Sequence, residues 1–187
     1  MRLFLALNFP PDVRGEIVAA TAALRDVAPE LSWVREPSLH LTMKFLGEQP
    51  DTRVDEIKAA VTAVARQHRE MVMTLGGLGA FPNFRRARVV WMGVAQEPRL
   101  ELLHHDVEVA FEQLGFEVDG RAFRPHLTLA RVRTAVAEDR LRALSRAARG
   151  IEFRAEVGIR SIELMHSELG AGGSVYSALV SAALRSG

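Results

Sequence analysis

One tripeptide, His-Leu-Thr, occurs twice in this chain, at positions 40–42 and again 86 residues later at positions 126–128. Each copy sits in an apolar, strand-like run, Leu39 to Leu46 and His126 to Ala130. In an extended strand, residues i and i+2 point to the same side. Each copy therefore presents an imidazole and a hydroxyl on one face and sends its leucine to the other, into a core. Two such faces turned toward each other would gather two titratable bases and two hydroxyl donors around one small anionic group.

The same offset maps much of the chain onto itself. It lays Arg2-Leu3-Phe4-Leu5-Ala6 on Arg88-Val89-Val90-Trp91-Met92, two strand-like segments. Applied again, it carries Arg88 to Ser174, the start of a third strand candidate ending at Val180. Val13, Ile17, Ala20, Leu24 and Val27 form a helical stripe that Asp12 can cap. Leu100, Leu103, Val107, Phe111 and Leu114 form its counterpart, ended by Gly115. A further helix follows each His-Leu-Thr strand: one carries Val54, Ile57, Val61 and Val64, the other Ala137, Leu141, Leu144 and Ala148 before Gly150. Strand-like sequence comes next in both halves, at Met71 to Leu75, and at Ile151 to Val157 with Ile159 to Met165. Each half thus reads strand, helix, His-Leu-Thr strand, helix, strand. An 86-residue period is too long for a solenoid unit. Two related lobes about an approximate two-fold, forming one domain over residues 1–187, place both polar faces on a shared cleft, a common setting for ligands.

The composition is that of a globular protein of ordinary polarity, long enough to bury a substantial core. No apolar run reaches the length of a membrane span. The opening Met1 to Leu7 resembles a clipped signal peptide but is too short and runs into Pro10-Pro11, so it reads as a first strand. The chain has no cysteine, which excludes disulfides, a thiolate nucleophile and cysteine-ligated zinc, and fits a cytoplasmic protein. Net charge is only +1, but the arginines are clustered. Arg85, Arg86 and Arg88 lie beside Phe81 and Phe84, and Arg121, Arg124, Arg131 and Arg133 bracket the second tripeptide. The planar guanidinium fork suits phosphate oxygens.

A neutral imidazole can take a proton from water, and an imidazolium can give one to a leaving oxygen. A pair can divide these roles, which is what metal-free phosphodiester hydrolysis requires. Threonine hydroxyls can donate to the non-bridging oxygens as charge redistributes. A metal site would put carboxylates or further histidines at ligand spacing; here position i+2 is threonine, and the nearest acid, Glu48, lies beyond Gly47. Among the other histidines, His104 and His105 flank a helix stripe, His68 lies near a helix C-terminus, and His166 lies at a strand end. Lys44 stands two residues past Thr42, on the same face by parity; it either touches phosphate at the cleft rim or is a solvated strand-end lysine.

The two His-x-Thr elements resemble those of the 2H phosphoesterase superfamily, and the surrounding residues resemble its RNA 2',3'-cyclic phosphodiesterase branch, historically called 2'-5' RNA ligase. The resemblance spans nearly the whole chain: Arg2 to Leu7, His40 to Glu48, Gly79 to Pro82, Arg88 to Val94, Pro125 to Arg131, and the tail Ser167-Glu168-Leu169 with Gly173 and Tyr176. It implies an α+β, bilobal duplicated fold, with antiparallel sheets lining a central V-shaped cleft and helices outside. It implies a monomer without cofactor, metal or membrane attachment, opening a ribose 2',3'-cyclic phosphate on RNA or an oligonucleotide to a 2'-phosphomonoester. By motif position His40 is the proton donor and His126 the proton acceptor; the sequence alone is symmetric on this point. Thr42 and Thr128 hold the phosphate, and Lys44, Phe81, Arg131, Ser167 and Tyr176 are the expected substrate-binding residues. The tail departs from the family pattern, with Gly170-Ala171-Gly172 where proline is usual, and a more mobile loop is expected there.

Two other uses share the same residues: ligation in the reverse direction, and hydrolysis of small nucleotide cyclic phosphates. A non-catalytic RNA-binding module would use the arginines alone and leaves the matched histidines without a purpose.

Overall fold

A computed structural model describes residues 1–170 and 173–186, and among these described residues apolar alternation and helical periodicity give nine strands and five α-helices. In chain order they are β1 (Arg2–Asn8), α1 (Pro11–Ala20), α2 (Ala22–Val27), β2 (Ser32–Trp33), β3 (His40–Glu48), α3 (Val54–Ala65) and β4 (Met71–Phe81). Then come β5 (Val89–Val94), α4 (Pro98–Gln113), β6 (His126–Arg131), α5 (Glu138–Arg149), β7 (Arg154–Ile159), β8 (Ser161–Gly170) and β9 (Gly173–Ala183). The mobility expected at Gly170-Ala171-Gly172 falls on Ala171 and Gly172, outside the described residues. No helix among the described residues is long and apolar enough to cross a membrane.

The strands form one antiparallel path, β7-β4-β5-β6-β3-β1-β8-β9, with β2 on β6. The path divides into two matched halves, β3-β1-β8-β9 and β6-β5-β4-β7. They meet at a single pair, Leu41 opposite Leu127. This is the α+β, duplicated antiparallel arrangement expected from the sequence. The lobes, however, are not the two halves of the chain. β4, from the first half, pairs with β5, while β8, from the second, pairs with β1. Periodicity identifies strands, but not which partner each will find.

Leu3, Leu5 and Leu7 of β1, Leu41 of β3, Val90 and Met92 of β5 and Leu127 of β6 point to one side and are fully buried. Ile17, Leu24, Ile57, Val61, Leu100, Leu103 and Phe111 from the helices join them in the same core. The opposite side of the sheet carries the polar residues of β3 and β6 together with a smaller apolar cluster of Phe4, Ala6 and Met165.

The expected single helix over residues 13–27 is broken at Thr21. The buried Thr21 hydroxyl donates to the Ile17 carbonyl at 2.8 Å, a back-bond that competes with the helical ladder and bends it. Asp12 does not cap; Pro11 opens the helix and Asp12 lies in its first turn. Gly115 ends α4 as expected, at φ 82°, a left-handed conformation that favours glycine.

Candidate active site

Register around the Leu41–Leu127 pair decides where the polar groups go. With both leucines buried, the flanking His40, Thr42, His126 and Thr128 lie on the other side of the sheet. A cleft of ≈ 1160 Å³ there is lined by Thr42, His126, Thr128, Phe81, Arg88 and Arg131, among others.

The two imidazoles are held in the same way. His40 Nδ1 lies 2.8 Å from the Ser38 carbonyl, and His126 Nδ1 lies 2.6 Å from the Arg124 carbonyl, in each case two residues upstream. A carbonyl can only accept, so both Nδ1 atoms carry hydrogen, and both Nε2 atoms present lone pairs in the neutral ring. There the equivalence ends. His40 Nε2 lies 3.1 Å from the Thr42 hydroxyl, which donates to it. His126 Nε2 has no hydrogen bond to any described residue.

Aromatic rings brace both histidines. The His40 ring centroid is 5.0 Å from Phe4 and 5.3 Å from Tyr176, the latter edge-on. His126 is 5.0 Å from Phe81, also edge-on, and 6.3 Å from Trp91. Gly79 makes room for this packing, because a Cβ there would overlap the Trp91 indole. Burial pushes the His40 pKa down from 6.5; the Ser38 hydrogen bond opposes this and the positive charge of Arg131 adds to it. That influence of Arg131, which belongs to β6, on a histidine of β3 ties the two half-sites together electrostatically.

Phe81 and Arg131, expected from the sequence, line the cleft. Tyr176 packs against His40 and Phe4. Ser167 pairs with Tyr176 and Arg2 and makes no side-chain hydrogen bond among those described.

Lys44 departs from expectation in part. Leu5 pairs with Lys44 and Ala6 with Thr42, so Met43 is an extra residue, a β-bulge. Beyond it, Lys44 falls on the buried side with Leu5, and Phe45 takes the cleft side opposite Phe4. The Lys44 ammonium donates to Glu108 Oε2 at 2.7 Å and to the Glu117 carbonyl at 2.8 Å, both side chains of the ion pair being nearly inaccessible. Lys44 is among the residues lining the cleft, as expected, but its ammonium is tied to Glu108 and to the Glu117 carbonyl and is not solvated.

β6 repeats the bulge. Val90 pairs with Ala130 and Trp91 with Thr128, leaving Leu129 extra, 86 residues after Met43. The bulge is what turns Arg131 to the cleft, as its counterpart does Phe45. The β1–β5 correspondence, in contrast, is 85 residues, because Ala6 stands to Thr42 as Trp91 stands to Thr128. The expected alignment of Arg2 to Ala6 on Arg88 to Met92 is therefore one residue out of register. Both segments are apolar on both faces, so no alternation fixes their parity.

Sequence reasoning missed Phe4 and Trp91, because each is an apolar residue within an apolar run and no alternation sets it apart. It also missed the wall formed by residues 117–124. Glu108 Oε2 accepts from the Asp119 amide at 3.1 Å, and His104 stacks on Phe123 at 3.9 Å, so α4 holds this segment at two points. His68 lies 2.9 Å from Asp106, and His166 pairs with Leu3 on the core side, so neither reaches the cleft. No three His, Asp or Glu side chains among the described residues cluster as metal ligands would.

The model of the 2'-5' RNA ligase superfamily matches residues 9–170. A relative from Archaeoglobus fulgidus named RNA 2',3'-cyclic phosphodiesterase is 32% identical, the match covering 96% of this chain and 98% of the relative. A crystal structure from Thermus thermophilus superposes with a TM-score of 0.83 at 30% identity, covering 100% of this chain and 99% of that one. The structure of E. coli LigT complexed with 3'-AMP gives a TM-score of 0.74 at 25% identity, covering 98% of this chain and 97% of that one.

Proposed function

The chain belongs to the 2'-5' RNA ligase superfamily, and we propose that it opens RNA 2',3'-cyclic phosphate ends to 2'-phosphomonoesters by acid–base chemistry divided between His40 and His126. The observation that carries this reading is the matched pair of imidazoles, each fixed through Nδ1, with Nε2 unbonded in His126 and bonded only to Thr42 in His40. The name carried by the Archaeoglobus relative supports the same substrate.

His126 Nε2, with a free lone pair, takes a proton from water as its oxygen attacks phosphorus. The bond from phosphorus to the ribose 3'-oxygen breaks, and His40 Nε2–H protonates that oxygen as it leaves. A 2'-phosphate and a 3'-hydroxyl result. His40 is biased toward its neutral form in the free protein; the phosphate anion supplies the charge that favours its protonated form. Once His40 is protonated, the Thr42 hydroxyl no longer donates to Nε2 and is released to a phosphate oxygen, the role Thr128 fills from the other strand. Arg131 neutralises the phosphate at the rim, and Phe81 and Tyr176 hold the rings and flank the nucleotide. Ser167 borders the same wall beside Tyr176. Lys44 acts through Glu108, positioning the wall of residues 117–124.

The test is incubation with an oligonucleotide ending in a 2',3'-cyclic phosphate, in the presence of EDTA, with identification of the product isomer. A 2'-phosphate end is expected. A 3'-phosphate end, or no turnover, overturns the proposal.

A further inference from the structure

The arginines at positions 85 and 86 are not absorbed by the cleft. Arg85 lies instead in a second groove of ≈ 440 Å³, between the turn at residues 84–86 and α5. Its wall on α5 carries Arg142, Arg146 and Arg149. These stand at i, i+4 and i+7, on one face of the helix, spaced by about 6 Å for each four residues. That spacing is comparable with the separation of neighbouring phosphates along an extended nucleic-acid strand. Four guanidinium groups face one lining carboxylate, Glu138.

The charges are not equally engaged. Arg142 is answered by Glu138 at 3.4 Å and Asp139 at 2.5 Å. Arg149 turns onto Ser145. Arg85 and Arg146 form no ion pair with any described residue, and both are exposed. The frame that presents them is fixed. Asn83 Oδ1 accepts from the backbone amides of Arg85 and Arg86 at 3.0 and 3.2 Å, and Phe84 packs against Leu141, Ala80 and Ala87.

The groove is also joined to the cleft. The segment from Phe81 to Arg88 is the connection between β4 and β5, closed by the Arg88 amide donating to the Phe81 carbonyl at 2.8 Å. Its two ends, Phe81 and Arg88, line the cleft, while Phe84 and Arg85 in the middle line the groove. A strand leaving the cleft over this segment meets Arg88, then Arg85, then the arginines of α5. The opposite wall mixes the acidic Glu117 and Asp119 with Arg121 and Arg124, whereas the groove holds four arginines against one carboxylate.

Resting on the reading of the cleft given above, the geometry points to this groove as a binding site for the phosphodiester backbone of RNA just upstream of the reacting end. Arg85 and Arg146 carry the contacts. They act on affinity for longer strands and leave the chemistry at the terminal phosphate untouched.

The double variant Arg85→Gln/Arg146→Gln tests this with two measurements. The first is binding of a 5'-labelled ten-nucleotide RNA, followed by fluorescence anisotropy over a range of salt. The affinity is expected to fall about tenfold at low salt, and the slope of log affinity against log salt to flatten by about 0.7 per lost contact. The second is turnover of a mononucleotide 2',3'-cyclic phosphate, whose KM and kcat are expected to stay unchanged. Unaltered binding and slope for the ten-nucleotide RNA overturn the proposal, as does a rise in the mononucleotide KM as large as the loss for the longer strand. Should the unmodified protein bind the RNA through these arginines yet turn over no cyclic phosphate, the groove stands and the reading of the cleft falls.

Discussion

Leu41 faces Leu127 across the seam where the two halves of the sheet meet, and this apolar pair sets the position of all four polar groups of the site. Both leucines are buried, so their neighbours lie on the other side of the sheet, where Thr42, His126 and Thr128 line the cleft. The pairing is antiparallel, so His40 lies toward the Thr128 end and Thr42 toward the His126 end. The register thus sets the two histidines at diagonal positions across the seam, each level with a threonine of the other strand.

On the proposed division of one reaction between the two histidines, each alone is insufficient. His40→Ala and His126→Ala are each expected to lower kcat by about 10²–10⁴. The double variant should lose little more than the worse single one, since residues acting as a unit are not additive. Single-turnover kinetics on a cyclic-phosphate oligonucleotide measure this. Full activity in either single variant removes the proposed chemistry.

Burial, reinforced by Arg131 and opposed by the Ser38 hydrogen bond, holds His40 below 6.5. Arg131→Gln removes one of the two lowering influences, so the His40 pKa is expected to rise in the free protein. In a bell-shaped kcat/KM profile the limb that falls with rising pH reports loss of the proton donor. That limb should move to higher pH in the variant, while the overall rate drops through weaker phosphate binding. Imidazole NMR titration of the free protein checks the shift directly, and an unmoved His40 signal contradicts the coupling across the seam.

His104 shares the depressed pKa, chiefly through burial against Phe123. For both His40 and His104 the folded value lies below the ordinary 6.5. Between the two values the unfolded chain binds more protons, so stability rises with pH there. Their contribution is complete above about 6.5 and is lost as pH falls through the folded values. His104→Phe keeps a ring on Phe123 and removes one of the two titrations. Its denaturation midpoint should fall less steeply between pH 7 and pH 5 than that of the unmodified protein. Parallel profiles would show that His104 contributes nothing to acid sensitivity.

The sequence made the site legible where alternation was clean. His40, Leu41 and Thr42 alternate polar and apolar, as do His126, Leu127 and Thr128, and the structure follows that parity. It became illegible two residues later. Met43 and Leu129 are apolar residues among apolar residues, and nothing in their chemistry marks them as bulged. Parity counted past them does not foresee that the Lys44 ammonium is tied to the buried Glu108. The exchange of β4 and β8 between the lobes was hidden for a related reason. Pairing partners depend on which edges are free once the helices pack, and a strand's own residues do not encode that. The wall at residues 117–124 is irregular backbone held by Lys44, Glu108 and His104, so it has no period to read.

That wall supplies the last prediction. Lys44 and Glu108 are both buried, and Lys44→Met leaves the Glu108 carboxylate without its cation and the Glu117 carbonyl without its donor. Breaking one side of a buried pair costs about 3–5 kcal/mol, so the melting temperature should fall substantially. Lys44→Met combined with Glu108→Leu removes the stranded charge and should regain part of that loss. Turnover should suffer in both variants, because the loosened wall leads through Arg124, whose carbonyl orients His126. A lysine that instead touched substrate phosphate would give the opposite pattern, a raised KM with an unchanged melting temperature. Thermal unfolding and mononucleotide kinetics on the same two variants separate the cases.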